Sequence, residues 1–153
     1  MQSVLWRMGF NLLMAGKAVL SPVALGAHAL IFDREGKVLL VRHSYRKDWA
    51  LPGGGVGRAE PPIDGLMREL REELGTLRAD APVFIGLYTR RSGWATNVIA
   101  LYRLMNAEVD FRPNFEIREI AFFDPKGLPP GTSAGARRRL AEYLNQSPPN
   151  PYW

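Results

Sequence analysis

Arg68, Glu69, Glu72 and Glu73 fall in one short stretch, and acids crowded this closely need a reason. On a helix that starts from Arg68 at zero, Glu72 falls at about 40°, Glu69 at about 100° and Glu73 at about 140°. The three carboxylates then share one face. Ile63, Leu66, Met67, Leu70 and Leu74 occupy the arc from roughly 160° to 260°, which sets the acids at the rim of the buried side. Like charges at these spacings destabilise a helix by a few tenths of a kcal/mol per pair. A divalent cation reverses that sign, and Mg²⁺ takes oxygen ligands while leaving positions for water and substrate phosphates. For the helix taken without its surroundings, a solvated acidic face with Arg68 and Arg71 as local partners explains the pattern equally well.

The surroundings separate these two explanations. The stretch from Gly54 through Glu60, Arg68, Glu69, Glu72, Glu73 and Gly75 to Thr76 resembles the Nudix box, G-x5-E-x7-R-E-U-x-E-E-x-G-U with U aliphatic. Every fixed position matches, and only the last departs, with Thr76 where an aliphatic residue is usual. Leu39-Leu40-Val41-Arg42-His43, Trp49-Ala50-Leu51-Pro52-Gly53-Gly54 and Phe122-Phe123-Asp124 also look like Nudix flanks, extending the likeness from about Gly26 to about Leu144. The resemblance implies the α/β class, as an α/β/α sandwich with a mixed β-sheet. It implies a hydrolase dependent on Mg²⁺ or Mn²⁺ that cleaves the pyrophosphate linkage of a nucleoside diphosphate joined to another moiety. Glu69, Glu72 and Glu73 match the metal-binding acids, and the Gly53 carbonyl is a further candidate ligand. Arg68 would orient the carboxylates, and Gly54, Glu60 and Gly75 would serve structure. Glu69 or Glu72 could take a proton from water, as could Glu116 or Glu119 outside the helix, although an exposed strand-edge charge explains those two equally well. A non-catalytic nucleotide- or RNA-binding module of the same fold is the competing class, but such a module would be expected to have lost acids that this chain retains.

Helical spacing and Ser21-Pro22 predict a first helix over Val4 to Leu20, with Leu5, Met8, Leu12, Ala15 and Val19 on one side. Its broad apolar coverage predicts burial on its own domain or in a homodimer, in preference to a membrane surface. Leu25 to Phe32 and Lys37 to Arg42 read as a hairpin around Asp33-Arg34-Glu35-Gly36. The Pro52-Gly53-Gly54-Gly55 run lets backbone approach a ligand closely and suits regular elements poorly. The acidic helix spans Pro62 to Leu74, with proline in its first turn and Gly75 at its end. Strands follow at Val83 to Thr89, Thr96 to Leu104 and Ile117 to Phe123. A last helix starts after Thr132 or Ser133 and runs to about Asn145, and the tail over 146–153 is extended. Residues 1–153 therefore read as a single Nudix-like domain, with 1–22 as a helical extension.

Composition bounds the partners. The 153 residues carry a net charge of +5 and no cysteine, which favours anionic ligands and excludes disulfides and thiol nucleophiles. A reducing cytoplasmic setting is the natural one. Two histidines in separate contexts do not make a zinc site. Arg7, Asn11 and Lys17 break the apolar start, so no membrane span is expected. Lys17, together with a cleavage point near Ala27 that would cut the first strand, argues against a signal peptide. Arg42, Arg46, Arg90 and Arg91 are candidates for phosphate contacts, and Tyr45, Trp49, Tyr88 and Trp94 for stacking on a base. Trp49 is expected in the core and Trp94 at a loop tip. His43 reads as a strand residue rather than a base, and Arg137 to Arg139 as a solvated helix face, so a nucleic-acid partner is not expected. Nudix members acting on ADP-ribose tend to carry a proline some way after the box. None lies between Pro82 and Pro113.

Overall fold

A computed structural model describes the backbone of residues 2–153 and the side chains of residue 8 and of residues 10–153. The elements run α1 (Gln2–Leu20), β1 (Val23–Ile31), β2 (Val38–His43), β3 (Trp49–Ala50), β4 (Gly53–Gly55), α2 (Pro62–Leu74), β5 (Thr76–Arg78), β6 (Val83–Ser92), β7 (Ala95–Leu104), β8 (Glu108–Asp110), β9 (Ile117–Phe123) and α3 (Ala134–Tyr143). One sheet has the order β4-β1-β7-β6 and is mixed, since β1 and β7 run parallel while the other pairs are antiparallel. A second sheet has the order β3-β2-β9, and β5 with β8 forms a short ribbon.

The alternation of side chains along a strand explains the layering. Ala27, Ala29 and Ile31 of β1 and Leu39 and Val41 of β2 pack on Leu66, Leu70 and Leu74 of α2. The intervening Leu30, Val38 and Leu40 pack with Trp49, Ala136 and Leu140 on the opposite side, which α3 covers. Strands thus lie between two helices, as an α/β/α sandwich requires. Leu66, Leu70 and Leu74 are fully buried, each worth about 1.5–3 kcal/mol relative to exposure. Ile63, placed on the same arc by spacing, is instead partly exposed at the first turn of α2.

Two expectations about the elements are corrected. The Asp33 turn forms, with its Oδ1 accepting from the Glu35 and Lys37 amides at 2.9 and 2.8 Å. The flanking strands nevertheless join only at a Phe32–Val38 bridge and belong to different sheets. A strand has two hydrogen-bonding edges, and β4 and β7 occupy both edges of β1. The glycine run is also a strand rather than an irregular loop, because it pairs antiparallel with β1 over Gly26–His28; glycine is required at Gly53, which takes φ +125° and presses so closely on Ala27 and His28 that a Cβ would overlap them.

The first helix starts two residues earlier than expected, and the large apolar side chains described on it are not buried on the domain. Met8, Phe10, Leu12, Leu13 and Val19 are exposed, and the side chain of Leu5 lies outside the described residues. Among the described residues, no helix is long and apolar enough to cross a membrane.

Candidate active site

Arg68 forms the node from which the site is built. Its Nε and Nη2 donate to the two oxygens of Glu60 at 3.1 and 3.0 Å, and Nη2 also donates to the Gly55 carbonyl at 2.9 Å. Its Nη1 donates to Glu69 Oε1 at 2.7 Å and lies 3.6 Å from Glu72. Glu60 Oε2 accepts in turn from the Gly57 amide at 2.6 Å. The Arg68 guanidinium, reinforced by that amide, holds the Glu60 carboxyl down at about 2. The loop before α2 is therefore tied to the helix through one carboxylate, and Glu69 is fixed beside it. Gly54 has no room for a Cβ because the Glu69 carboxylate fills that space.

Glu73 departs from its expected place at the rim, being 1% exposed. Its Oε2 accepts from the Gly53 amide at 2.7 Å, which ties β4 to the end of α2. Burial pushes the Glu73 carboxyl up, against the pull of His43 and the Gly53 amide. Glu73 Oε1 is buried and has no hydrogen-bond partner; His43 Nε2 lies 3.3 Å away. His43, Glu73 and Glu116 bring one ligand atom each to within 4.8 Å of one another. An orphaned carboxylate oxygen in such a cluster, beside a cradle of glycines, fits a divalent cation. Glu72 is half exposed and faces the Arg68 guanidinium.

A cleft of about 530 Å³ opens beside His43, lined also by Tyr45, Arg46, Gly53, Gly54, Arg90 and Trp153. Arg46 is braced by a two-pronged bond to Asp48 at 2.9 and 2.6 Å. His28, under the Trp153 ring at 5.3 Å, is pushed down to about 4 by burial and is neutral at pH 7. The structure does not bring Arg42 and Glu119 to the cleft. They pair across the β2–β9 ladder at 2.9 Å, and Arg42 lies 4.2 Å over Trp49, on the α3 side of the sheet. Arg91 donates to Gly93 at the β6–β7 turn. Trp49 is buried and Trp94 exposed, as expected.

Several contributing residues went unread in the sequence. Arg139 is buried rather than solvated, bonding Glu142 at 2.7 Å and lying 3.9 Å over the Tyr88 ring. Arg138 donates to the Trp153 carbonyl and reaches the cleft, and Arg137 bonds Pro129 and Thr132. Trp153 arrives through the tail, which pairs with β6 by way of Thr89 at 2.8 and 2.9 Å. Nothing local in the sequence marks that pairing. The position of His43 was available in principle, since Leu39, Val41 and His43 share the side of β2 that faces α2.

The NUDIX domain pattern matches residues 22–144, and the chain belongs to that family. It is 41% identical over 54 residues to an RNA pyrophosphohydrolase of Halorhodospira halophila, covering 35% of this chain and 30% of that protein. It is 43% identical over 51 residues to a probable DHNTP pyrophosphohydrolase of Lactococcus lactis, covering 33% and 30%. Each match thus spans less than a third of the relative's own length. In fold it is similar to a MutT NUDIX hydrolase of Burkholderia pseudomallei, with a TM-score of 0.67 and 22% identity over 77% of this chain and 95% of that one.

Proposed function

We propose that the chain is a divalent-metal-dependent hydrolase that cleaves the phosphoanhydride linkage of a nucleoside diphosphate joined to another moiety. The observation that carries this is Glu73 Oε1, buried without a partner beside the Arg68-clamped Glu69. Glu69, Glu72 and Glu73 would hold Mg²⁺ or Mn²⁺, which when bound supplies charge neutralisation at phosphate oxygens and acidifies water. Arg68 keeps Glu69 Oε1 engaged, leaving Oε2 uncommitted to that guanidinium and able to accept a proton from the attacking water. Arg46 and Arg90 meet the phosphates, while Tyr45 and Trp153 offer faces to a base. Glu72 and Glu116 are alternative proton acceptors; Glu119, paired with Arg42, has the weakest claim.

Both relatives are named pyrophosphohydrolases, which supports this chemistry and adds triphosphate-bearing substrates, RNA ends included, to those worth testing. We further propose a single domain over residues 1–153 working in the cytoplasm. The exposed apolar side chains of α1 support a homodimer. Hydrolysis of nucleoside triphosphates, nucleotide sugars, dinucleoside polyphosphates, dinucleotides and 5′-triphosphate or capped RNA, with Glu73→Gln as control, tests the assignment. Metal-dependent turnover lost in the variant is the expected result. Silence across the panel with a nucleotide still bound would make the chain a binding module.

A further inference from the structure

We infer that His43 supplies a nitrogen ligand to the metal site, making it a mixed nitrogen and oxygen site with Glu73 and Glu116 that favours Mn²⁺ over Mg²⁺. This rests on the function proposed above for the presence of a metal, and goes beyond it in naming a ligand outside the acidic helix.

Three elements converge to build the cluster. Side-chain alternation turns His43 toward α2, where Nε2 lies 3.3 Å from Glu73 Oε1. A bulge in the β2–β9 pairing sits at this point, since Arg42 opposes Glu119 while His43 opposes Ile117. Such a bulge re-aims the neighbouring side chains. Glu116 lies immediately before the shifted pair and is fixed from both sides. Its carbonyl accepts from the Ser44 amide at 2.8 Å, and its amide donates to Asn114 Oδ1 at 3.0 Å. Asn114 Nδ2 in turn donates to the Glu72 and Glu73 carbonyls, at 3.2 Å each. Glu116 is thus tied to Ser44, the residue after His43, and through the Asn114 side chain to the Glu73 carbonyl, by hydrogen bonds that do not involve the three ligand atoms.

Those ligand atoms satisfy one another only in part, with His43 drawing on Glu73 from 3.3 Å. Glu73 and Glu116 repel, and Glu73 Oε1 makes no hydrogen bond although it is buried and its carboxylate is 1% exposed. An orphaned buried carboxylate oxygen is costly, and a cation among the three groups satisfies it and removes the repulsion. Imidazole changes which cation is preferred. Mg²⁺ takes oxygen ligands and dehydrates reluctantly, whereas first-row transition ions accept imidazole readily.

The test is electron spin-echo spectroscopy of Mn²⁺ bound to the full chain, combined with Mn²⁺ and Mg²⁺ dissociation constants for wild type, His43→Asn and Glu116→Gln. Imidazole nitrogen modulation is expected in the wild type and absent from His43→Asn. The preference for Mn²⁺ over Mg²⁺ should fall about tenfold or more in His43→Asn and less in Glu116→Gln, which loses an oxygen ligand. The wild-type spectrum decides the matter even if a variant fails to fold. Mn²⁺ bound with no nitrogen modulation would overturn the His43 assignment and leave the hydrolase intact. Mg²⁺ bound without Mn²⁺ would likewise overturn the His43 assignment alone, and neither ion bound would overturn both.

Discussion

Arg68 shows how much one side chain can coordinate: it closes the loop through Glu60 and Gly55 and fixes Glu69. Lysine keeps the charge but cannot reproduce the fork. Arg68→Lys is therefore expected to lower kcat about 10–100-fold, with an unchanged circular dichroism spectrum, on whichever substrate the panel yields. Glu60 gives a pH dependence with a definite sign. Its carboxyl, held at about 2 against an ordinary 4.5, stabilises the fold fully above pH 4.5 and progressively less as pH falls toward 2. Urea midpoints of wild type and Glu60→Gln should differ most near neutrality and converge at about pH 2; a constant gap would remove the ion pair as its cause. The box residues were legible because chemistry fixes their spacing. The depth of Glu73 and the proximity of His43 were not, because both depend on how β2 lies against α2.

At the scale of elements, close approach does the positioning. β4 is made of glycines because Gly53 lies against β1 and Gly54 makes room for the Glu69 carboxylate. Gly54→Ala is expected to keep the fold, since its clash is with a side chain, while displacing Glu69 and costing about 10²-fold in kcat. Steady-state kinetics beside a thermal melt separates these outcomes. The helix α2 was legible to the residue, with proline at its start and Gly75 at φ 74° closing it. The hairpin was misjudged because local turn chemistry says nothing about which edges of β1 are already taken. The apolar spacing of α1 revealed a helix but not where its side chains lie, since exposure is settled by the neighbours a helix meets.

Across the whole molecule, the tail brings Trp153 to the lining of the cleft. Glu142 accepts from both Arg139 and the Asn150 amide, at 2.7 and 2.9 Å, so a single carboxylate joins α3 to the segment carrying Trp153. Removing it leaves the Arg139 charge buried and unpaired. Glu142→Ala is expected to destabilise the fold by about 3–5 kcal/mol in urea unfolding and to raise KM as Trp153 loosens. The α/β/α layering was legible through the resemblance that the box carries, while strand periodicity by itself gave one domain of mixed strands and a few helices. The tail's pairing with β6 was not, because Thr89 and its partners Pro151 and Trp153 are far apart in sequence and leave no local pattern.

The proposed function requires that buried and clamped glutamates, with a divalent cation, hydrolyse a phosphoanhydride. The most direct measurement is the turnover of metal-stripped protein on the best panel substrate, before and after adding Mg²⁺ or Mn²⁺, for wild type and Glu69→Gln. No turnover without metal, restoration in the wild type and a loss of about 10²–10⁴-fold in the variant are expected. Undiminished turnover in metal-stripped protein, or in Glu69→Gln, would contradict the assignment.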